Sequence, residues 1–173
     1  VRIPNQILFF IKLLVLLLCW IVLFACSTSP KYSETISKSA QKTIPQKSVT
    51  HKNGLRIADL AKSLVGSPYK YGGESPNGFD CSGLVFYIHK KVGLQTPRTS
   101  LQQFKAAKTI PLQKIQHGDL IFFKLTRTQV SHVGIYIGNG RFIHAPQSGK
   151  KVKATYVNDQ YWKTKIVSGG RLY

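Results

Sequence analysis

Acidic residues are scarce in this chain of 173. Six Asp and Glu stand against 25 Lys and Arg, a formal charge of +19. Cysteine is scarce too: three in all exclude a disulfide-dense secreted scaffold. No CxxC or HExxH pattern occurs, so the commonest zinc signatures are missing. The basic charge invites a nucleic-acid reading. No helix-turn-helix, finger or RNA-binding signature accompanies it, so nucleic acid is not expected as a partner. Aromatic residues at 11% and 14 glycines describe a folding chain, and the length is that of one domain. No internal repeat is visible.

Leu13 to Ala25 is an uninterrupted apolar run of 13 residues, preceded by Arg2 and Lys12. This length suits a secretory signal better than a full membrane span of about 20 residues. A retained anchor is the alternative, because Ile7 to Ala25 is broken only by Lys12. Lys31, Lys38 and Lys42 follow closely, so flanking charge does not decide the matter. Leu23-Phe24-Ala25-Cys26 resembles a bacterial lipobox, with Phe24 bulkier than is usual there. The resemblance implies a signal peptide over residues 1–25, cleavage before Cys26, and lipid on Cys26 as a membrane anchor. Ser27 after the cysteine would direct such a lipoprotein to the outer membrane of a diderm envelope, facing the periplasm. Export would also separate the chain from nucleic acid. With Cys19 in the signal and Cys26 lipidated, Cys81 is left as a lone thiol, buried or working.

Ser27 to Gly54 holds six Ser, four Thr and five Lys among 28 residues and reads, with Cys26, as a flexible basic tether over residues 26–54. A coil of that length spans about 30 Å. The folded domain is expected over residues 55–173. Its own charge, 18 basic against 5 acidic residues, reads first as a solvated surface and, functionally, as attraction to an anionic cell envelope.

Leu55, Ile57, Ala58, Leu60, Ala61, Leu64 and Val65 recur at helical spacing, ended by Gly66 and Pro68. A Gly/Pro-rich loop follows from Gly66 to Phe79. A second helix is expected to open at Cys81, capped by Asp80 and closed by Gly93, with Cys81, Leu84, Val85, Ile88 and Val92 on its apolar face. A third fits Thr99 to Lys108, where Thr99 and Gln102 have capping-box spacing. After Pro111 the pattern turns to strands at Leu120–Phe123, His132–Gly138, Arg141–Ala145, Val152–Val157 and Lys165–Leu172. Helices before strands argue an α+β fold with an antiparallel sheet.

A cysteine at a helix N-terminus sits among free backbone N–H groups that favour its thiolate. Cys81 has that place, and a histidine beside it would complete an activated nucleophile. His132 and His144 lie on the strands. Taken singly, Cys81 reads equally as an inert core residue, and each histidine as a hydrogen-bonded strand residue. His51, His89 and His117 read as structural.

Tyr69-Lys70-Tyr71-Gly72-Gly73, Pro76 and Phe79-Asp80-Cys81-Ser82-Gly83-Leu84 resemble the signature of the NlpC family of cell-wall cysteine peptidases. Pro97-Arg98-Thr99-Ser100, Gly118-Asp119-Leu120, Ser131-His132-Val133-Gly134-Ile135-Tyr136 and Phe142-Ile143-His144-Ala145 follow in the family's order. The resemblance implies a papain-like fold, the nucleophile's helix packed on an antiparallel sheet. It implies Cys81 as nucleophile, His132 as general base and then acid, and His144 as the group orienting His132. The oxyanion would rest on the backbone N–H of Cys81. Tyr69, Asp80, Ser82 and Arg98 are the implied substrate-binding residues. No cofactor and no metal are implied. The implied partner is peptidoglycan, cut between a D-amino acid and a diamino acid. The D-glutamyl-γ bond within a stem and the D-alanyl cross-link between stems both remain open. No regulatory partner can be named.

Two other readings compete: a zinc site of Cys81, His132 and His144, and an inactive wall-binding lipoprotein on a peptidase fold. The histidine strands also set a register problem. In the roles that the resemblance implies, both imidazoles must share one face of the sheet. That requires a three-residue loop, Gly138-Asn139-Gly140, in place of the two-residue Asn139-Gly140 turn. The expected loop is a type I turn with Gly140 left-handed. His144 then opposes Gly134, whose missing side chain leaves room for the imidazole.

Overall fold

The computed structural model describes residues 46–126 and 128–173. Residues 1–45, with the expected signal peptide, the lipidated Cys26 and most of the tether, lie outside them.

The first helix, α1 (Gln46–Ser63), begins nine residues before the expected domain start. Residues 46–54, expected in the flexible tether, are therefore helical. Gly54 explains the difference. It reads as a breaker, costing about 1 kcal/mol inside a helix. Here its bare backbone is where α1 meets the rest of the domain. A Cβ would collide with the His117 carbonyl and lie 2.6 Å from the Tyr173 hydroxyl. Ile57, Ala58 and Ala61 are fully buried, whereas Leu55 and Val65, assigned to the same apolar face, are exposed.

A small hairpin, β1 (Glu74–Ser75) and β2 (Gly78–Phe79), closes the Gly/Pro loop. Helix α2 (Cys81–Lys91) follows, with Asp80 as its extended N-cap and Gly93 at φ 83° just past its end, as its sequence requires. Leu84, Val85 and Ile88 are fully buried; Cys81 and Val92 are partly so. Helix α3 (Ser100–Ala106) is capped by Thr99 but ends two residues before the expected Lys108. Lys108–Ile110 instead forms strand β3, an edge strand whose β-branched Thr109 and Ile110 pair with Gly170 and Gly169.

The sheet has six strands in the order β3, β8 (Ile166–Arg171), β4 (Leu120–Phe123), β5 (His132–Tyr136), β6 (Arg141–His144), β7 (Lys153–Tyr156). Every pairing is antiparallel. Strand β4 is buried on both faces, which is why Leu120 to Phe123 reads as a continuous apolar run. Leu120 and Phe122 join the core beneath the helices, with Val133, Ile135 and Ile143. Ile121 and Phe123 join Phe142 and Trp162 on the other side. Trp162 comes from a short helix, α4 (Gln160–Lys163), whose first N–H groups bond the Asp159 carboxylate.

The β5–β6 hairpin has the three-residue loop. Ile135 pairs with Ile143 and Tyr136 with Phe142. The Ile137 N–H donates to the Arg141 carbonyl at 2.9 Å. The turn's conformation differs from the expected type I turn with one left-handed residue. Gly138, Asn139 and Gly140 all have positive φ, at 87°, 51° and 65°. Two glycines and an asparagine are the residues that tolerate this run. The space at Gly134 goes to the Phe142 ring, not to His144: a Cβ there would strike Phe142.

Candidate active site

Asp80 closes the loop and opens the helix. Its Oδ1 accepts the Gly83 N–H at 2.6 Å, which ends the backbone's extended run and starts α2 at Cys81. Gly83 passes against the Gly73 carbonyl, where any side chain would collide. The Cys81 thiol therefore faces the first turn of α2 and the first residues of β5. Burial, first, and the Asp80 carboxylate push it up to about 11, while the N–H groups of Val133, Ser82 and Cys81 pull the other way. The helix start alone leads one to expect a lowered value; desolvation outweighs it. The resting group is a neutral thiol. Cys81 keeps some accessible surface, as a nucleophile must.

His132 and His144 are buried and share a face of the sheet. His132 Nε2 lies 2.9 Å from His144 Nδ1, and His144 Nε2 lies 3.1 Å from Thr155 Oγ1. Burial lowers the basicity of both rings; the neighbouring His132 and then Lys153 depress His144 further. Trp162 packs on both, with ring centroids 5.1 Å from His132 and 4.7 Å from His144. Among the described residues no hydrogen bond joins the thiol to either imidazole. The helix start instead meets β5 through the N–H of Val133, the residue after His132. The two nearest histidine nitrogens are bonded to each other, and among the described residues no group of three His, Cys, Asp or Glu is disposed to hold a metal ion.

The four expected binding residues divide. Tyr69 is half-buried beside the nucleophile. Desolvation, then Cys81 and Asp80, raise its phenol above the ordinary value, so it stands neutral. Asp80, Ser82 and Arg98 bond chiefly to one another. Arg98 holds Asp80 through two nitrogens at 2.8 and 3.0 Å, reaches Ser82 Oγ at 3.0 Å, and pairs with Glu74 at 3.2 Å. Asp80 also accepts from Gly72, Ser82 and Gly83. Burial alone would raise its carboxyl, but Arg98 and the Gly83 N–H hold it below its usual range. In this arrangement the Asp80 carboxylate is saturated, and the trio locks the loop onto the nucleophile's helix.

Sequence reading missed Thr155, Trp162 and Gln103. Thr155 takes its place because β7 pairs beside β6; no motif marks it. Trp162 carried one signal, an Asp159 cap three residues ahead of an aromatic residue. The Gln103 amide donates to the carbonyls of Ser82 and Pro97 at 3.0 and 2.8 Å, pinning α3 to the start of α2.

A cysteine opening a helix, packed on an antiparallel sheet that carries a histidine pair, defines the α+β papain-like class. Within it, residues 66–171 match the NlpC/P60 family model, and the chain belongs to that family. It is 39% identical over 113 residues to the murein DD-endopeptidase MepH of Escherichia coli (strain K12), covering 62% of this chain and 42% of that protein. It is 42% identical over 115 residues to the bifunctional muramidase/DL-endopeptidase CwlT of Bacillus subtilis (strain 168), covering 65% of this chain and 34% of that one. It therefore spans less than half the length of either relative. A crystal structure of an NlpC/P60 family protein from Bacillus cereus ATCC 10987 superposes with a TM-score of 0.66 at 32% identity, over 69% of this chain and 40% of the other.

Proposed function

We propose that the protein is a peptidoglycan endopeptidase. It hydrolyses an amide bond between a D-amino acid and a diamino acid, in a stem peptide or a cross-link. The observation that carries this is the buried His132–His144 pair beside a helix-opening Cys81 in an NlpC/P60 domain. Relatives named as DD- and DL-endopeptidases support the substrate class and leave both bonds open.

In this mechanism His132 donates its Nε2 proton to His144 Nδ1, and His144 donates its own Nε2 proton to Thr155 Oγ1. That tautomer leaves His132 Nδ1 with a lone pair. Nδ1 takes the thiol proton as Cys81 Sγ attacks the carbonyl carbon. The backbone N–H of Cys81 bonds the oxyanion. The imidazolium returns its proton to the leaving amine, and water then hydrolyses the thioester. His144 is a positioning residue that keeps the tautomer.

The test is digestion of purified peptidoglycan, with fragments identified by mass. A newly freed amine on a diamino acid is expected, the α-amine for the glutamyl bond or the side-chain amine for the cross-link; intact stems and cross-links would reject the reading. In the same proposal, Cys26 carries the lipid and holds the enzyme to the outer membrane, facing the periplasm. Leu23-Phe24-Ala25-Cys26 supports this. Cys26→Ser should release the protein from membranes; retention after a carbonate wash would reject it.

A further inference from the structure

A cavity of about 300 Å³ is lined by Trp162, the ring that packs on both site histidines. Leu125, Tyr161 and Trp162 give it apolar walls, and Lys150, Lys153 and Asp159 bring charge to it. Lys153 is paired directly with His144 across β6 and β7, so the two side chains leave the sheet on the same face. Its charge reaches the site, being one of the influences that depress His144. Lys150 also lines the cavity, from a loop whose main chain reaches the other side of the site: its carbonyl accepts the N–H of Tyr69, the tyrosine beside Cys81. Lys153 thus stands on the face that carries the histidine pair, and Lys150 brings a second cation to the same cavity.

Their charge is uncompensated. Among the described residues Asp159 is the one carboxylate on the cavity, and its Oδ1 is turned to the N–H groups of Tyr161 and Trp162. Among the described residues neither lysine has an ion-pair partner, the salt bridges being those of Lys62, Arg98 and Arg171. A third cation, Lys165, stacks 3.8 Å from the centroid of the Tyr161 ring. Apolar walls with two free ammonium groups fit a short aliphatic chain ending in a carboxylate.

We propose that Lys150 and Lys153, walled by Tyr161 and Trp162, form a subsite for a free carboxylate on the substrate. This rests on the peptidase reading above and adds what the substrate must carry. A stem peptide offers two sources. A γ-linked D-glutamyl residue keeps its α-carboxylate, and the diamino acid keeps a carboxylate beyond the bond cut.

The test uses the full-length Cys81→Ala protein in detergent and a synthetic γ-D-glutamyl–diamino acid peptide. The peptide is made in three forms: both carboxylates free, the glutamyl one amidated, the diamino-acid one amidated. Calorimetric titration should show one amidation weakening binding by roughly five- to tenfold, and that amidation names the source. Adding Lys153→Gln should shrink the penalty to under about twofold, Lys153→Arg should retain it, and Lys150→Gln should reduce it. Equal binding of all three forms, no binding at all, or a penalty that survives loss of both lysines would overturn the subsite. Digestion of the three peptides by the unmodified protein reads the parent proposal separately. Cleavage indifferent to amidation rejects the subsite and keeps the peptidase. A binding preference without cleavage of any peptide or of peptidoglycan rejects the peptidase and keeps the subsite.

Discussion

His132 Nε2 and His144 Nδ1 are 2.9 Å apart, so one proton is shared between two imidazoles in an apolar enclosure of Phe123, Phe142 and Trp162. If His132 holds that proton, its Nδ1 is a base; if His144 holds it, Nδ1 is blocked. Thr155, which can accept from His144 Nε2, biases the pair toward the first state.

Thr155→Val should therefore lower kcat by roughly five- to tenfold with KM nearly unchanged, the loss of one hydrogen bond's bias. His144→Ala should lower kcat far more. His144→Gln, which keeps an acceptor for the His132 proton, should recover part of the loss. Steady-state kinetics on a soluble stem peptide reads all three. A purely packing role for His144 would leave the Gln and Ala variants equally impaired.

Cys81→Ala should abolish hydrolysis and leave the circular dichroism spectrum and melting temperature nearly intact, since the side chain is only partly buried. Thiol alkylation should inactivate the native protein, and EDTA should not. The opposite pattern would favour metal chemistry.

The pH dependence follows from three buried histidines, His144 among them, all held less basic than a free imidazole. Burial lowers His89 and His132 from 6.5 to about 4 each. The unfolded chain then binds more protons than the native one below 6.5. The stability this contributes is whole above 6.5 and is lost as pH falls toward about 4. The loss is about 1.4 kcal/mol per pH unit for each histidine. Urea midpoints at pH 7, 6 and 5 should fall accordingly, and His89→Leu should flatten the slope. Activity, which needs neutral His132, should persist to lower pH than an ordinary histidine would allow.

Asp119 is fully buried. It accepts Arg171 at 2.6 and 2.7 Å and the Tyr173 hydroxyl at 3.2 Å, tying β8 and the chain's last residue to the start of β4. Asp119→Ala strands the Arg171 guanidinium and should cost about 3–5 kcal/mol in chemical denaturation. A loss under about 1 kcal/mol would show the ion pair to be dispensable.

Gly134→Ala would drive a methyl group into the Phe142 ring, beside His144. Overpacking of this kind costs about 1–3 kcal/mol. Activity should fall beyond what stability explains, because the ring that must move also packs on a site histidine. Unchanged kinetics would show that the hairpin yields without disturbing the pair.

Local chemistry was enough to place much of this. Asp80 and Gly93 bound a helix wherever they flank an apolar stripe, so the nucleophile's position follows from neighbours along the chain. The three-residue hairpin follows from strand parity once the resemblance gives both histidines a place in one site, since residues twelve apart share a face only in that register. The turn's own dihedrals do not follow, because Gly138 also makes way for the His117 ring, a contact from another loop. Tertiary packing likewise decided that Gly54 sits inside a helix, that Lys108 leaves one for a strand, and that Arg98 saturates Asp80. Thr155 and Trp162 reach the histidines only because β7 pairs beside β6 and α4 folds back over it. Sequence carries periodicity and caps, which act over a few residues. The hydrogen-bond partners and the desolvation that leave the thiol protonated come from segments far apart in the chain, and only their packing sets those energies.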